Sequence, residues 1–218
     1  MKKFTLIISV LIIFQLIFTG SVFAYSNSSA VSYADKYAVS PNRLNSLGQG
    51  YNYYSNDCTN FVSQCFYTGG LSQDSTWRSY VTYSVNTPTR HDSTAWTVAE
   101  SFKNYVRDTG RAWKLGSSTL NGTPDPYLSY PYTNNSANLV STNAGRTVIF
   151  YDWDGDGTMN HAAIYVVNNG SSTYSGEGSG DLIDQHTSNR KHVLWRPDRR
   201  QSSSKKYTTR VYAFQLNV

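Results

Sequence analysis

Near Arg146 the chain changes its period, and that change constrains the fold more than any other feature. Before it, apolar residues recur at helical spacing. In "SAVSYADKYAVSPN", Ala30, Tyr33, Ala34, Tyr37 and Ala38 share one face, with Pro41 as a stop. Cys58 to Tyr67 reads as a second helix ended by Gly69-Gly70. "STAWTVAESFKNYVRDTG" reads as a third, capped by Ser93 or Thr94 and stopped at Gly110, with a stripe from Trp96 to Val106. After Arg146 come "RTVIFYDW", "HAAIYVV", "DLIDQHT", "HVLW" and "TTRVYAFQLNV", short apolar runs separated by turn residues. Helices first and strands second predict an α+β domain, N-terminal helices packed on a C-terminal antiparallel β-sheet. Residues 71–93 read as irregular around a Trp77 anchor, and 116–145 as a long surface excursion.

Only part of the chain is expected in the working protein. Met1-Lys2-Lys3 is a basic start, Phe4 to Phe18 is almost wholly apolar, and Val22 and Ala24 fit the small-residue cleavage rule. A signal peptide over 1–24 is expected, leaving one domain over 25–218. The competing reading is an uncleaved anchor, for which the apolar run is near the lower limit. Export implies a secreted protein, extracellular or associated with the cell envelope, with no stable membrane insertion after cleavage. The chain carries 19 Lys and Arg against 14 Asp and Glu, and two of the bases leave with the leader. That balance predicts no nucleic-acid binding, though it suits an anionic envelope. The basic stretch Arg196 to Lys206 reads as a solvated loop, with contact to an anionic polymer as the alternative. A monomer is expected.

The chemistry concentrates in "YYSNDCTNFVSQCFYTGG", Tyr53 to Gly70, which holds both cysteines. Cys58 and Cys65 on one helix would stand roughly 10 Å apart, beyond disulfide reach. Zinc is disfavoured by the spacing and by the lack of a His-x-x-x-His partner. A nucleophile remains. Cys58 sits at the helix N-terminus, where the positive end of the dipole favours thiolate and unpaired amides can hold an oxyanion. Asn56 or Asp57 can cap that end. Cys65 falls on the apolar stripe with Phe61, Val62 and Phe66 and reads as packing.

A thiol nucleophile needs a base. Of His91, His161, His186 and His192, His161 opens the run "HAAIYVV", where the small Ala162 and Ala163 permit close approach of a helix end. His186, in "DLIDQHT", could fix the tautomer of His161 as the third group of a triad does. Asp184 is the alternative orienter. There is no G-x-S-x-G elbow, His-Glu-x-x-His motif or phosphate loop to compete.

These same residues carry a resemblance. "YYSNDCTNFVSQCFYTGGL", "WTVAESFKNYV", "GRTVIFYDW…NHAAIYVV" and "DQHT" resemble the bacterial putative amidase domain family, within the papain-like clan of cell-wall cysteine peptidases and amidases. The resemblance spans about Ala30 to Trp195. It implies a papain-like fold, a Cys nucleophile at Cys58, a base at His161 and a polar third residue at His186. A tyrosine before the Cys, common in the clan, matches Tyr53 or Tyr54; with Asp57 these are assigned to substrate binding. The implied activity is cleavage of an amide or peptide bond in peptidoglycan through a thioester, with no required cofactor. The alternatives are a catalytically silent envelope or carbohydrate-binding protein, and an acyltransferase using the same Cys-His pair.

"DWDGDGTMN" places Asp152, Asp154 and Asp156 at alternate positions with a following Gly, the first half of a calcium loop. The acid expected at position twelve is replaced by Ala163, which favours a plain polar hairpin turn. A structural calcium ion here would rigidify the base at His161.

Overall fold

The structure, a computed structural model, describes residues 24–115, 128, 132, 139–199 and 205–218. All but the last residue of the expected signal peptide lies outside this range, as do most of the 116–145 segment and part of the Arg196–Lys206 stretch. No helix among the described residues is long and apolar enough to cross a membrane.

The α+β expectation holds. Helices α1 (Asn27–Tyr37), α2 (Cys58–Gly69), α3 (Thr94–Thr97) and α4 (Ala99–Asp108) precede a six-stranded antiparallel sheet. Its strands are β3 (Ala112–Leu115), β4 (Thr147–Asp152), β5 (His161–Ser171), β6 (Ser179–Gln185), β7 (Arg190–Leu194) and β8 (Arg210–Leu216), in the order β3-β8-β4-β5-β6-β7. The short α5 (Lys205–Thr208) leads into β8.

Helix α1 buries Ala30 and Ala34, small residues that let it lie close to α2. Helix α2 ends at Gly70, whose φ of 108° is open to glycine but strained for other residues. The helices cover one face of the sheet with a core that includes Phe61, Val62, Phe66, Trp77, Trp96, Phe102, Phe150 and Ile164. On the opposite face Ile149, Tyr151, Tyr165, Ile183, Trp195 and Val211 form a second cluster. Every residue of β4 is therefore buried, which explains why "TVIFYD" lacks the alternation of a half-exposed strand.

Three local features depart from the sequence reading. Within the supposedly irregular 71–93 stretch, β1 (Ser79–Ser84) and β2 (Thr87–Asp92) form an antiparallel hairpin. Its largely exposed faces erase the hydrophobic alternation that would have signalled it. Strand β3, four residues long, gives too short a pattern to read. The third helix is broken at Val98, which is extended (φ −114°, ψ 124°). The carbonyl of Trp96 is held instead by the Ser63 hydroxyl at 2.9 Å, a tertiary contact that competes with continuous helix.

Candidate active site

Helix α2 points its N-terminus at the start of β5. There the sulfur of Cys58 lies beside His161, with both side chains buried. Burial opposes ionisation of the thiol, but the His161 imidazole outweighs it, helped by the Ala162 backbone amide and the Thr59 hydroxyl. The net result brings the Cys58 thiol down from 9.0 to about 7. The Thr59 hydroxyl is 3.7 Å from the sulfur. Cys65 behaves oppositely: burial first, then the charge of Asp184, pushes its thiol well above the ordinary value. Both cysteines are free.

The His161 ring packs beside the rings of Tyr151 and Trp153, at centroid distances of 5.5 and 5.6 Å. Its Nε2 is buried with no hydrogen-bond partner among the described residues. A cavity of about 350 Å³ opens at the sulfur, lined by Asn56, Cys58, Thr59, Val98, Met159 and Asn160. A second, about 210 Å³, is lined by Trp153, His161, Gln185, Thr187 and Arg190. The Cys-His pair thus borders space on both sides, and the break at Val98 supplies one wall.

His186 does not occupy the orienting position expected of it. Its Nδ1 is 2.5 Å from Asp57 Oδ2, its Nε2 is 2.9 Å from the Tyr37 carbonyl oxygen, and its ring stacks on Phe61 at 4.1 Å. With both nitrogens engaged, neither is left for His161. The cause is strand parity. Ile164 pairs with Asp184, so Leu182, Asp184 and His186 face the helices, whereas Ile183 and Gln185 face the side shared by Ala163 and Tyr165. Asp184 fails for the same reason: one oxygen accepts from the His192 N–H at 2.7 Å, against α1.

The residue that parity places on the His161 face is Gln185, which the sequence reading passed over. It lines the His161 cavity, and its amide nitrogen donates to the Ser188 carbonyl at 3.2 Å, making Oε1 the acceptor end. Four of the seven residues of β6 are polar, Ser179, Asp181, Asp184 and Gln185, so nothing in the sequence singles out Gln185 without the register.

Asp57, assigned to substrate binding, is turned into the protein. It is buried; Oδ1 accepts from the Tyr54 N–H at 3.1 Å and from Asn60 Nδ2 at 2.8 Å, and Oδ2 meets His186. It stands at the N-cap position of α2 but caps no amide with its side chain, so Asp57 does not block the end of the helix at Cys58. Tyr54 donates its hydroxyl to Asp92 at 2.7 Å; burial, and then that carboxylate, push it up to about 12. Tyr53 is exposed, under the Arg43 guanidinium at 4.1 Å. Neither tyrosine lines the cavity at the sulfur.

The other polar residues of "DCTNFVSQ" brace the helix. Asn60 donates to the Asn52 carbonyl at 2.7 Å and accepts from Trp96 Nε1 at 2.8 Å. Ser63 accepts from Trp77 Nε1 at 3.0 Å, and Gln64 accepts from the Tyr33 hydroxyl at 2.8 Å. Buried polar groups satisfied in this way tolerate few alternatives.

The Asp152 loop is folded on itself. Asp152 Oδ1 accepts from the Gly155 and Asp156 amides and Oδ2 from Gly157, at 2.7 to 3.2 Å, while Asp154 and Asp156 are exposed. The three carboxylates do not converge as a calcium loop requires; the arrangement is that of a hairpin turn.

A family model described as "putative amidase domain" matches residues 24–212. The uncharacterized protein YhbB of Bacillus subtilis (strain 168) is 26% identical over 183 residues, which cover 81% of this chain and 46% of YhbB. YjcM of the same organism, also described as uncharacterized, is 35% identical over 91 residues, covering 41% of this chain and 18% of its own. The chain thus spans less than half the length of these relatives. No solved structure matches.

Proposed function

Because the chain belongs to the putative amidase domain family, we propose that it is a secreted, papain-like cysteine hydrolase, with an amide or peptide bond of peptidoglycan as substrate. The observation that carries the reading is the Cys58 sulfur at the N-terminus of α2, beside His161 and brought down to about 7. A buried thiol without a task would have its pKa raised, as Cys65 does. This contrast also speaks against a catalytically silent binder.

In the proposed reaction the Cys58 thiolate attacks the amide carbon, forming a C–S bond and moving the carbonyl electron pair onto oxygen. The Cys58 backbone N–H, at the positive end of α2, stabilises that oxyanion. Collapse breaks the C–N bond, and the His161 imidazolium gives its proton to the leaving amine. His161 then takes a proton from water as the water attacks the thioester, releasing the carboxylic acid and the thiol. Gln185, rather than His186, is the positioning residue we assign to His161. The chemistry needs no cofactor.

The test is incubation of the purified protein with peptidoglycan and mass spectrometry of the products. New amine and carboxyl ends are expected with the wild type and none with Cys58→Ala. Activity retained by Cys58→Ala overturns the nucleophile. A wild-type protein that alkylates at neutral pH but leaves peptidoglycan intact overturns the substrate, and products joined to an added amine replace hydrolysis with acyl transfer.

A further inference from the structure

Where α1 meets the β6–β7 edge of the sheet, three metal-ligating side chains come together that the proposed reaction does not use. Asp35 of α1, Asp184 of β6 and His192 of β7 each present one ligand atom, all within 4.8 Å of one another. Among the described residues this is the only such three-ligand group. Asp184 is fully buried; no donor faces its Oδ2 among the described residues, and the Asp35 carboxylate lies within hydrogen-bonding reach of it. An ionised oxygen left so is costly in a protein interior, and the nearby Asp35 carboxylate adds repulsion.

The backbone is shaped around this cluster. Between Ile183 and Gln185 the β6–β7 register shifts, because two residues of β7, Lys191 and His192, oppose the single Asp184 of β6. His192 is the second residue of that bulge, and its φ is 52°, a left-handed value uncommon for a non-glycine. The bulge directs the His192 N–H to Asp184 Oδ1 at 2.7 Å and its Nε2 to Asp35 Oδ1, also at 2.7 Å. Lys191 sits on the rim, its Nζ 3.0 Å from the Asp35 carbonyl oxygen and 3.8 Å from Oδ1. One ammonium beside two carboxylates leaves room for further positive charge.

We infer that Asp35, Asp184 and His192 form a binding site for a divalent transition-metal cation, which pins α1 to the β6–β7 edge of the sheet. Two carboxylates and one imidazole are a ligand set suited to zinc or a similar first-row ion, with water completing the shell. Zinc bonds of ~2.0–2.2 Å place tetrahedral ligands roughly 3.3 Å apart. The Asp35–His192 contact therefore opens slightly while the Asp184 oxygen closes in. Binding through Nε2 uses the neutral imidazole with its proton on Nδ1. The ion would supply the positive partner that Asp184 Oδ2 lacks. The same seam carries the Tyr37–His186–Asp57 contacts that reach the residue before Cys58.

The test is calorimetric titration of Zn²⁺ into the EDTA-stripped full-length mature protein, after Cys58 has been blocked with iodoacetamide so that a thiol cannot bind the metal. One saturable equivalent is expected, together with a Tm rise of about 5–10 °C when free zinc is ~100 times Kd. Asp184→Asn and His192→Gln should each weaken binding on the order of 100-fold. Asp35→Asn, on the half-exposed side of the cluster, provides a variant with little reason to misfold and should do the same. No saturable binding by the wild type, or equal binding by all three folded variants, overturns the site. Neither result depends on whether the protein cleaves an amide.

Discussion

His186 Nδ1 stands 2.5 Å from Asp57 Oδ2, and both side chains are almost fully buried. The contact ties the residue before Cys58 to the end of β6. Because the Tyr37 carbonyl can only accept, His186 Nε2 must be a donor. One histidine therefore joins the ends of α1, α2 and β6. What resembles a triad member in the sequence is a latch beneath the site.

Removing either half of that latch should destabilise the protein more than it alters chemistry. His186→Gln or Asp57→Asn leaves a buried polar group without its partner, and a loss of about 3–5 kcal/mol is expected. Urea unfolding of the two single variants and the double variant measures it; the double should cost less than the sum. A loss below ~1 kcal/mol for both single variants would remove the latch.

Gln185 should show the reverse pattern. Gln185→Ala is expected to reduce kcat on the order of 10–100-fold, by analogy with groups that orient a reactive imidazole, with a Tm close to that of the wild type. The pH dependence of Cys58 alkylation should move as well, because a loosened imidazole stabilises the thiolate less well. An unchanged alkylation profile with unchanged kcat would return the orienting role to another group.

For Cys58 the sign of the pH effect follows from its lowered value. With the thiol at about 7 instead of 9.0, thiolate accumulates above pH ~7 and is lost as the pH falls through that point. Iodoacetamide labelling of the native protein should therefore have its midpoint near 7. His161→Ala removes the main opposing influence to burial, so the midpoint should rise, and labelling at pH 7 should fall on the order of tenfold or more. A midpoint unmoved by His161→Ala would separate the two residues.

In the 152–157 turn the acids should not be equivalent. Asp152→Ala removes the acceptor for three backbone amides and is expected to cost about 1–3 kcal/mol. Asp154→Asn and Asp156→Asn, at exposed positions, should stay within about 0.5 kcal/mol. Thermal unfolding with and without added calcium checks both points. A calcium-dependent Tm rise abolished by Asp154→Asn would restore the calcium loop.

Much was readable from residue order. The period change at Arg146 carried the α+β class, and the apolar stripe of Cys58 to Tyr67 carried α2. Cys58 at the front of that stripe and His161 at the front of "HAAIYVV" were recognisable because each depends on local pattern alone. The hairpin over 79–92 was not readable, because its exposed faces show no alternation. The break at Val98 was also hidden, since it depends on Ser63 holding the Trp96 carbonyl across 33 residues.

The boundary between what sequence and tertiary structure decide is sharpest in β6. Its sequence determines that Asp184, Gln185 and His186 occupy consecutive positions with alternating faces. Which face meets His161 depends on pairing Ile164 with Asp184, and a slip of one residue would exchange the roles of Gln185 and His186. Nothing local specifies that register; it is selected when Leu182 packs under the helices and Ile183 packs in the opposite core. The same choice turns Asp184 towards Asp35 and leaves its second oxygen with no donor facing it among the described residues. Local pattern determined the elements and the Cys-His pair, while packing on the two faces of the sheet decided which polar side chains stand beside it.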